Sequence, residues 1–170
     1  MKGRALTTIS EGCHRSWLSE VLHVPRDPTA GGIDLADGRL GIELKCRYRR
    51  WDPRWTVHDY QRMHFRRQNP GVSLYWAFLL YGLSVDPRRL RTSKQLADAV
   101  TERECWILPW AWVGQFPLFQ PKTGPYRYVP QKDIPNGSYF KKHEVTGGKL
   151  YLPRGHSQLE ERLELDEVPF

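Results

Sequence analysis

The stretch Gly31-Gly32-Ile33-Asp34-Leu35-Ala36-Asp37-Gly38-Arg39-Leu40-Gly41-Ile42-Glu43-Leu44-Lys45 decides how the chain reads. Asp37-Gly38 stands between two alternating apolar runs, the strongest short hairpin signal, because a two-residue type I′ turn needs positive φ at both central positions. With Asp37 and Gly38 as that turn, Ala36 pairs with Arg39, Leu35 with Leu40 and Asp34 with Gly41. Cross-strand partners share a face and side chains alternate, so Asp34, Gly41, Glu43 and Lys45 project from one side. Ile33, Ile42, Leu44 and Cys46 then line the other. Two carboxylates on diagonal positions, a glycine leaving room between them and a lysine next in line form a cradle for a hard divalent cation and a water. The bland alternative is an amphipathic hairpin whose outer face is merely charged.

The flanking segments extend the pattern. Ser10 to Leu22 carries Trp17, Leu18, Val21 and Leu22 at helical spacing, with Thr8 or Ser10 as N-cap and Val24-Pro25 as the stop. Glu11 lies at the start of this helix. Thr8-x-x-Glu11 also fits a capping box, in which the glutamate satisfies only a backbone N–H. Asp59 to Gln68, closed by Asn69-Pro70-Gly71, reads as a polar helix. Ser73 to Leu83 is nearly continuous apolar sequence, the signature of a central strand buried on both faces. It is too short to cross a membrane.

In this order, with Asp34 ending one strand and Glu43-Leu44-Lys45 on the next, the chain resembles the PD-(D/E)XK nuclease superfamily. Within it, the archaeal-type Holliday junction resolvases are most similar, with a helix glutamate at the place of Glu11 and a basic residue near Arg26. The resemblance covers residues 9 to 83. Ile33 stands where the superfamily usually has proline, and Gly12 stands where the resolvases have an arginine, with His14 and Arg15 close by. The resemblance implies an α/β, restriction-endonuclease-like core with a central mixed β-sheet flanked by helices. It also implies a site of Glu11, Asp34, Glu43 and Lys45, in which Asp34, Glu43, the Leu44 carbonyl and Glu11 hold Mg²⁺, with Mn²⁺ able to substitute. Glu20 is the alternative third carboxylate. A junction-cutting enzyme needs two sites, so the resemblance implies a homodimer.

Charge supports a phosphodiester substrate. The chain has 26 Lys and Arg against 19 Asp and Glu, and eleven of those cations face only three carboxylates between Lys45 and Arg91. A basic zone that begins at the proposed catalytic lysine suits DNA. The expected contacts are Arg26, Arg47, Arg49, Arg50, Arg54, Arg62, Arg66 and Arg67; arginine suits bidentate phosphate binding. Trp51 and Trp55 interleave with Arg50 and Arg54, placed either to stack on unpaired bases or to pack internally.

At 170 residues, one domain can bury a sizeable core without staples. The expected division is a core over about 9–113 and a Pro/Gly/Tyr-rich elaboration over about 114–170. Cys13, Cys46 and Cys105 are odd in number and form no metal-ligand pattern, which fits a reducing cytoplasm. Met1 to Ser10 has no apolar run of signal-peptide type. No phosphate-binding loop, dinucleotide fingerprint or nucleophile elbow is present, so no nucleotide cofactor is expected. Ser93 to Glu104 fits a helix capped by Thr92 or Ser93, and Cys105 to Val113 a strand interrupted at Pro109. Residues 114–157 read as loops or a small β element. The tail from Gln158 is acidic and reads as a solvated helix face.

The function expected from this sequence is a Mg²⁺-dependent DNA endonuclease, most closely a branched-DNA resolvase. The rivals are a sequence-specific restriction-type enzyme on the same core, with residues 114–157 reading bases, and a non-catalytic nucleic-acid-binding protein.

Overall fold

Ser73–Leu83, the run expected at the centre of the sheet, is there because its two sets of alternate side chains fill two different cores. Tyr75, Ala77, Leu79 and Tyr81 join one cluster and Trp76, Phe78 and Leu80 the other, all of them buried. The computed structural model of the protein describes residues 2–27, 33–58 and 65–164. Gly31, Gly32, Asp59, Arg62 and the tail's Asp166 and Glu167 lie outside the described residues, as does most of the helix expected over 59–68; residues 65–68 are helical.

The chain is α/β. Helix α1 (Lys2–Leu22) leads into β1 (Leu35–Ala36), β2 (Leu40–Tyr48), β3 (Arg54–His58) and β4 (Ser73–Leu83). Then follow α2 (Ser93–Ala99), β5 (Val100–Pro109), β6 (Tyr126–Pro130), β7 (Phe140–Val145), β8 (Gly148–Pro153) and α3 (Ser157–Glu164). Six strands form one mixed sheet in the order β1-β2-β4-β5-β8-β7, with β2 parallel to β4, β5 parallel to β8 and the other pairs antiparallel. Side chains of α1, α2 and α3 pack one face, through Leu18, Leu22, Leu96 and Leu159. The other face is covered by the antiparallel β3–β6 ribbon and a 3₁₀ turn, Trp110–Gln115, through Trp55, Val57, Val113 and Val129.

Helix α1 starts eight residues before the expected Ser10. Its buried stripe runs Leu6, Ser10, Cys13, His14, Trp17, Leu18, Val21 and Leu22, and two polar residues on that stripe hide the period from a hydrophobicity reading. Thr8 and Ser10 are therefore interior, Ser10 Oγ bonds back to the Thr7 carbonyl at 3.0 Å, and the capping-box account of Glu11 does not hold. Farther on, the helix expected to reach Glu104 ends at Ala99. A capping box between Thr92 and Gln95 starts it, and β-branched Val100 and Thr101 open β5 instead. Residues 140–153 are more than a cover: as β7 and β8 they supply two of the six sheet strands.

His14 is the main buried polar group of this face. Its Nδ1 accepts from Arg103 Nε at 3.1 Å, its ring lies 4.3 Å from that of Tyr81, and none of it reaches solvent. Burial, and next to it the Arg103 charge, push its pKa down to about 3, so His14 is neutral in the folded protein. The unfolded chain binds the proton first as pH falls, so stability is full above about pH 6.5 and is lost progressively down to about pH 3. The loss is on the order of 5 kcal/mol by linkage. Urea unfolding from pH 7 to pH 4 should show this decline, and His14→Gln should lower stability at pH 7 while flattening the slope.

Candidate active site

The turn that sets the site differs from the expected one. Gly38 does not take a positive φ; instead the Asp37 carboxylate accepts the amides of Arg39 and Leu40, at 2.8 and 2.9 Å, and Asp37 N donates to the Leu40 carbonyl at 2.9 Å. Arg162 of α3 holds the same carboxylate at 2.5 Å. Burial alone would raise the Asp37 pKa, but the Arg162 bond and the two amides outweigh it and hold it below the ordinary value. An aspartate turn of this kind supplies from a side chain the bonds a tighter turn would draw from the backbone. The register moves by two residues, to Leu35↔Ile42 and Ala36↔Gly41, so Asp34 stands opposite Glu43 rather than Gly41. An even shift keeps every side chain on its face. Asp37→Ala should cost about 1 kcal/mol of stability, as a lost cap does, read in urea unfolding.

Ile33 departs from the expected alternation. A Cβ on Gly41 would lie 2.3 Å from Ile33 Cδ1 and 2.7 Å from Leu74 Cδ2, so these side chains fill the space above the glycine. Glycine is needed there to let the chain fold over β2, not to leave a hole for an ion. Residues 25–27 run along the outer side of β1: Arg26 bridges Leu35, Asp27 N donates to Asp34 O at 3.0 Å, and Ala36 N to Pro25 O at 2.9 Å.

Asp34 and Glu43 then grip each other's strands. Asp34 Oδ2 accepts the Leu44 amide at 2.8 Å, and Glu43 Oε2 accepts the Asp34 amide at 3.3 Å. Their remaining oxygens meet cations, Arg15 on Asp34 Oδ1 at 2.6 Å and Lys45 Nζ on Glu43 Oε1 at 3.1 Å. Glu43 is nearly enclosed; burial raises its pKa, Lys45 opposes the rise and Asp34 adds to it. Burial would lower the Lys45 pKa, but Glu43, then Asp34 and Glu11, outweigh it and raise it. Lys45 is accordingly an ammonium, suited to orient and donate rather than to accept a proton.

These groups sit at an open sheet edge. Among the described residues no strand pairs with β2 beyond Ile42 on the β1 side. A cleft of about 240 Å³ occupies that edge, walled by α1 at Ser10 and Glu11, by β2 from Leu44 to Tyr48 and by β3 at Thr56 and His58. The Leu44 N–H points toward this edge, to Asp34, and in a strand the carbonyl of the same residue points the same way.

The expected site residues divide accordingly. Asp34, Glu43, Leu44 and Lys45 come together, and Glu11 faces Lys45 across the cleft. Glu20 lines a separate cavity with Arg103 and His143, which removes it as the third carboxylate. Arg47 lines the cleft and lies 6.0 Å from the Trp51 ring. Arg49 is paired within the protein: Glu102 holds it at 2.8 Å and Glu104 pairs with it too. Arg54 pairs with Asp52 at 2.7 Å, and Arg66 lies 4.8 Å over Trp110. Arg50 and Arg67 are exposed, and Arg26 reaches Ser16 at 3.3 Å. Trp55 is a core residue, while Trp51 is 40 % exposed at the cleft. The residue missed outright is Arg15. Its signal was the four-residue spacing from Glu11, which puts both on one helix face.

Among the described residues no three His, Cys, Asp or Glu side chains gather as a ligand cluster. The donors at the edge are two carboxylates and the Leu44 carbonyl, all hard oxygens, and the buried Glu43 charge is under-compensated even with Lys45 beside it. That donor chemistry fits Mg²⁺, which binds through one or two carboxylates and keeps several waters. No protein-family model matches the chain, and no curated protein matches it. No helix among the described residues is long and apolar enough to cross a membrane.

Proposed function

We propose that the protein is a Mg²⁺-dependent DNA endonuclease, working in the cytoplasm, with Asp34, Glu43 and Lys45 at its centre. The observation that carries this reading is the pair of carboxylates, Glu43 buried and Asp34 half-buried, each held to the other's strand, with the Lys45 ammonium beside them lining the cleft. A binding module gains nothing from two carboxylates beside a phosphate-seeking surface, where they would repel the ligand unless a cation intervened.

Asp34, Glu43 and the Leu44 carbonyl would hold the metal, and Mn²⁺ would serve in its place. When bound, the ion supplies a water of lowered pKa and offsets charge on the phosphoryl oxygens. The chain's own residues do the rest. Lys45 donates from its ammonium to orient the attacking oxygen, Glu43 fixes that ammonium, and Arg15 holds Asp34 in its rotamer. Arg47, on the cleft wall, meets a flanking phosphate. Within the nuclease class the reading is a branched-DNA resolvase acting as a homodimer, since symmetric cutting of a junction takes two sites.

The test is cleavage of a labelled four-way junction and the matching linear duplex in Mg²⁺, with EDTA as control. Paired symmetric nicks on the junction alone are expected. Fixed-site cutting of linear DNA would instead favour a restriction-type enzyme, and salt-sensitive binding without cutting would leave a binding protein. Glu43→Ala and Asp34→Asn should lower turnover roughly 10²-fold or more, with binding nearly unchanged. Arg15→Ala should lower turnover less, because it removes a positioning contact.

Removing Arg47 or Arg50 should do the reverse. Each loss weakens affinity and reduces the slope of log K against log salt by about one unit per phosphate contact. Arg49→Ala, in contrast, should leave the salt slope unchanged and lower stability, since two glutamates lose their partner.

A further inference from the structure

The outward face of the β3–β6 ribbon is a second ordered surface, joined to the cleft. Trp55 and Val57 turn inward and are buried, so strand alternation sends Arg54, Thr56 and His58 outward. Opposite them in register stand Pro130, Tyr128 and Tyr126. Phe119 extends this face by exchanging two backbone hydrogen bonds with Tyr126, at 2.9 and 3.0 Å. The rings form one array: Phe119 stacks on Tyr126 at 5.4 Å and 22°, and Tyr128 lies 5.1 Å from Tyr126 and 5.6 Å from Phe119. The Arg54 guanidinium, paired with Asp52, sits 3.9 Å above the Tyr128 ring.

This array is not core. The ribbon already covers the sheet with its other face, and Phe119 stays 45 % exposed. It is also continuous with the candidate active site, because Thr56 and His58 line the same cleft as Lys45 and Arg47. Aromatic faces flanked by a guanidinium suit a strand whose bases are unstacked; an intact duplex hides its base faces and offers phosphate instead. A cleft of about 240 Å³ admits part of one strand, not a double helix.

We infer that this face binds an unpaired DNA strand, with bases stacked on Tyr126, Tyr128 and Phe119, and leads it into the cleft. The substrate is then branched DNA with bases unpaired or splayed at the branch point beside the scissile bond. The inference rests on the nuclease reading of the cleft, so its test separates the two. Anisotropy titrations in EDTA would use a labelled oligothymidylate and a blunt duplex, with wild type, Phe119→Ala, Tyr128→Ala and Tyr128→Trp. The expected result is single-strand binding that weakens about five- to thirtyfold on loss of each ring. Duplex affinity should change less than about twofold, and Tyr128→Trp should bind the single strand like wild type.

Unchanged single-strand affinity in both alanine variants overturns the inference. So does equal loss on both ligands, or no single-strand binding by wild type. Cleavage of a splayed-arm substrate by wild type in Mg²⁺ is read in parallel. Cutting with ring-independent binding removes the platform and keeps the nuclease; ring-dependent binding without cutting supports the platform and removes the nuclease.

Discussion

Everything at the site depends on how the ladder between β1 and β2 ends. Strand β1 contributes two residues while β2 runs for nine, and Asp34 marks the point of departure. Continued pairing would give the Leu44 amide a backbone carbonyl; the Asp34 carboxylate takes that place. Glu43 returns the bond to the Asp34 amide. The two acids are therefore fixed by backbone donors before any cation is considered, and such bonds are among the stronger ones available to a carboxylate. Ile33 can turn aside only because position 41 has no Cβ. The open edge, the cleft and the carboxylate pair are consequences of this one interruption.

The edge also explains why the cleft has walls from both sides of the sheet. Glu43, Lys45 and Arg47 lie level with Trp76, Phe78 and Leu80 on the ribbon face, while Glu11 and Arg15 belong to the helix on the opposite face. Side chains from the two faces meet only where no strand intervenes. Arg15 can reach Asp34 around that edge, and β3 brings Thr56 and His58 from the other side. A seventh strand beside β2 would have separated these groups completely.

How much of this was legible depended on range. The alternation around Asp37-Gly38 gave the faces of Asp34, Glu43 and Lys45 correctly even with the register off by two, because parity survives an even shift. The doubly buried β4 was plain from its continuous apolar run. What stayed hidden needed partners distant in sequence. Asp37 takes a different turn partly because Arg162 anchors it, and Arg49 is spoken for by Glu102 and Glu104 on β5. The start of α1 was obscured by Ser10 and His14, polar residues buried on its apolar stripe. Residues 140–153 gave no sign of joining the main sheet, since parallel pairing of β8 with β5 leaves no local turn signature.

The same distance effect limits what a count of charges means. Eleven basic residues between Lys45 and Arg91 suggest a broad phosphate-binding field. Several of them are used internally: Arg49 is held by two glutamates, Arg88 by Asp86, and Arg54 is shared between Asp52 and Tyr128. Lys45 is committed to Glu43. Arg50, Arg67 and Arg89 are exposed, and among the described arginines of this zone Arg47, whose Nε donates to the Asp52 carbonyl at 2.9 Å, is the one that lines the cleft. A cleft with few available cations, continued by aromatic rings, would grip a strand through a small number of contacts. Affinity built that way leans on stacking as much as on counterion release. That balance favours substrates whose bases are already unpaired, because they bring their stacking faces without the cost of opening a duplex.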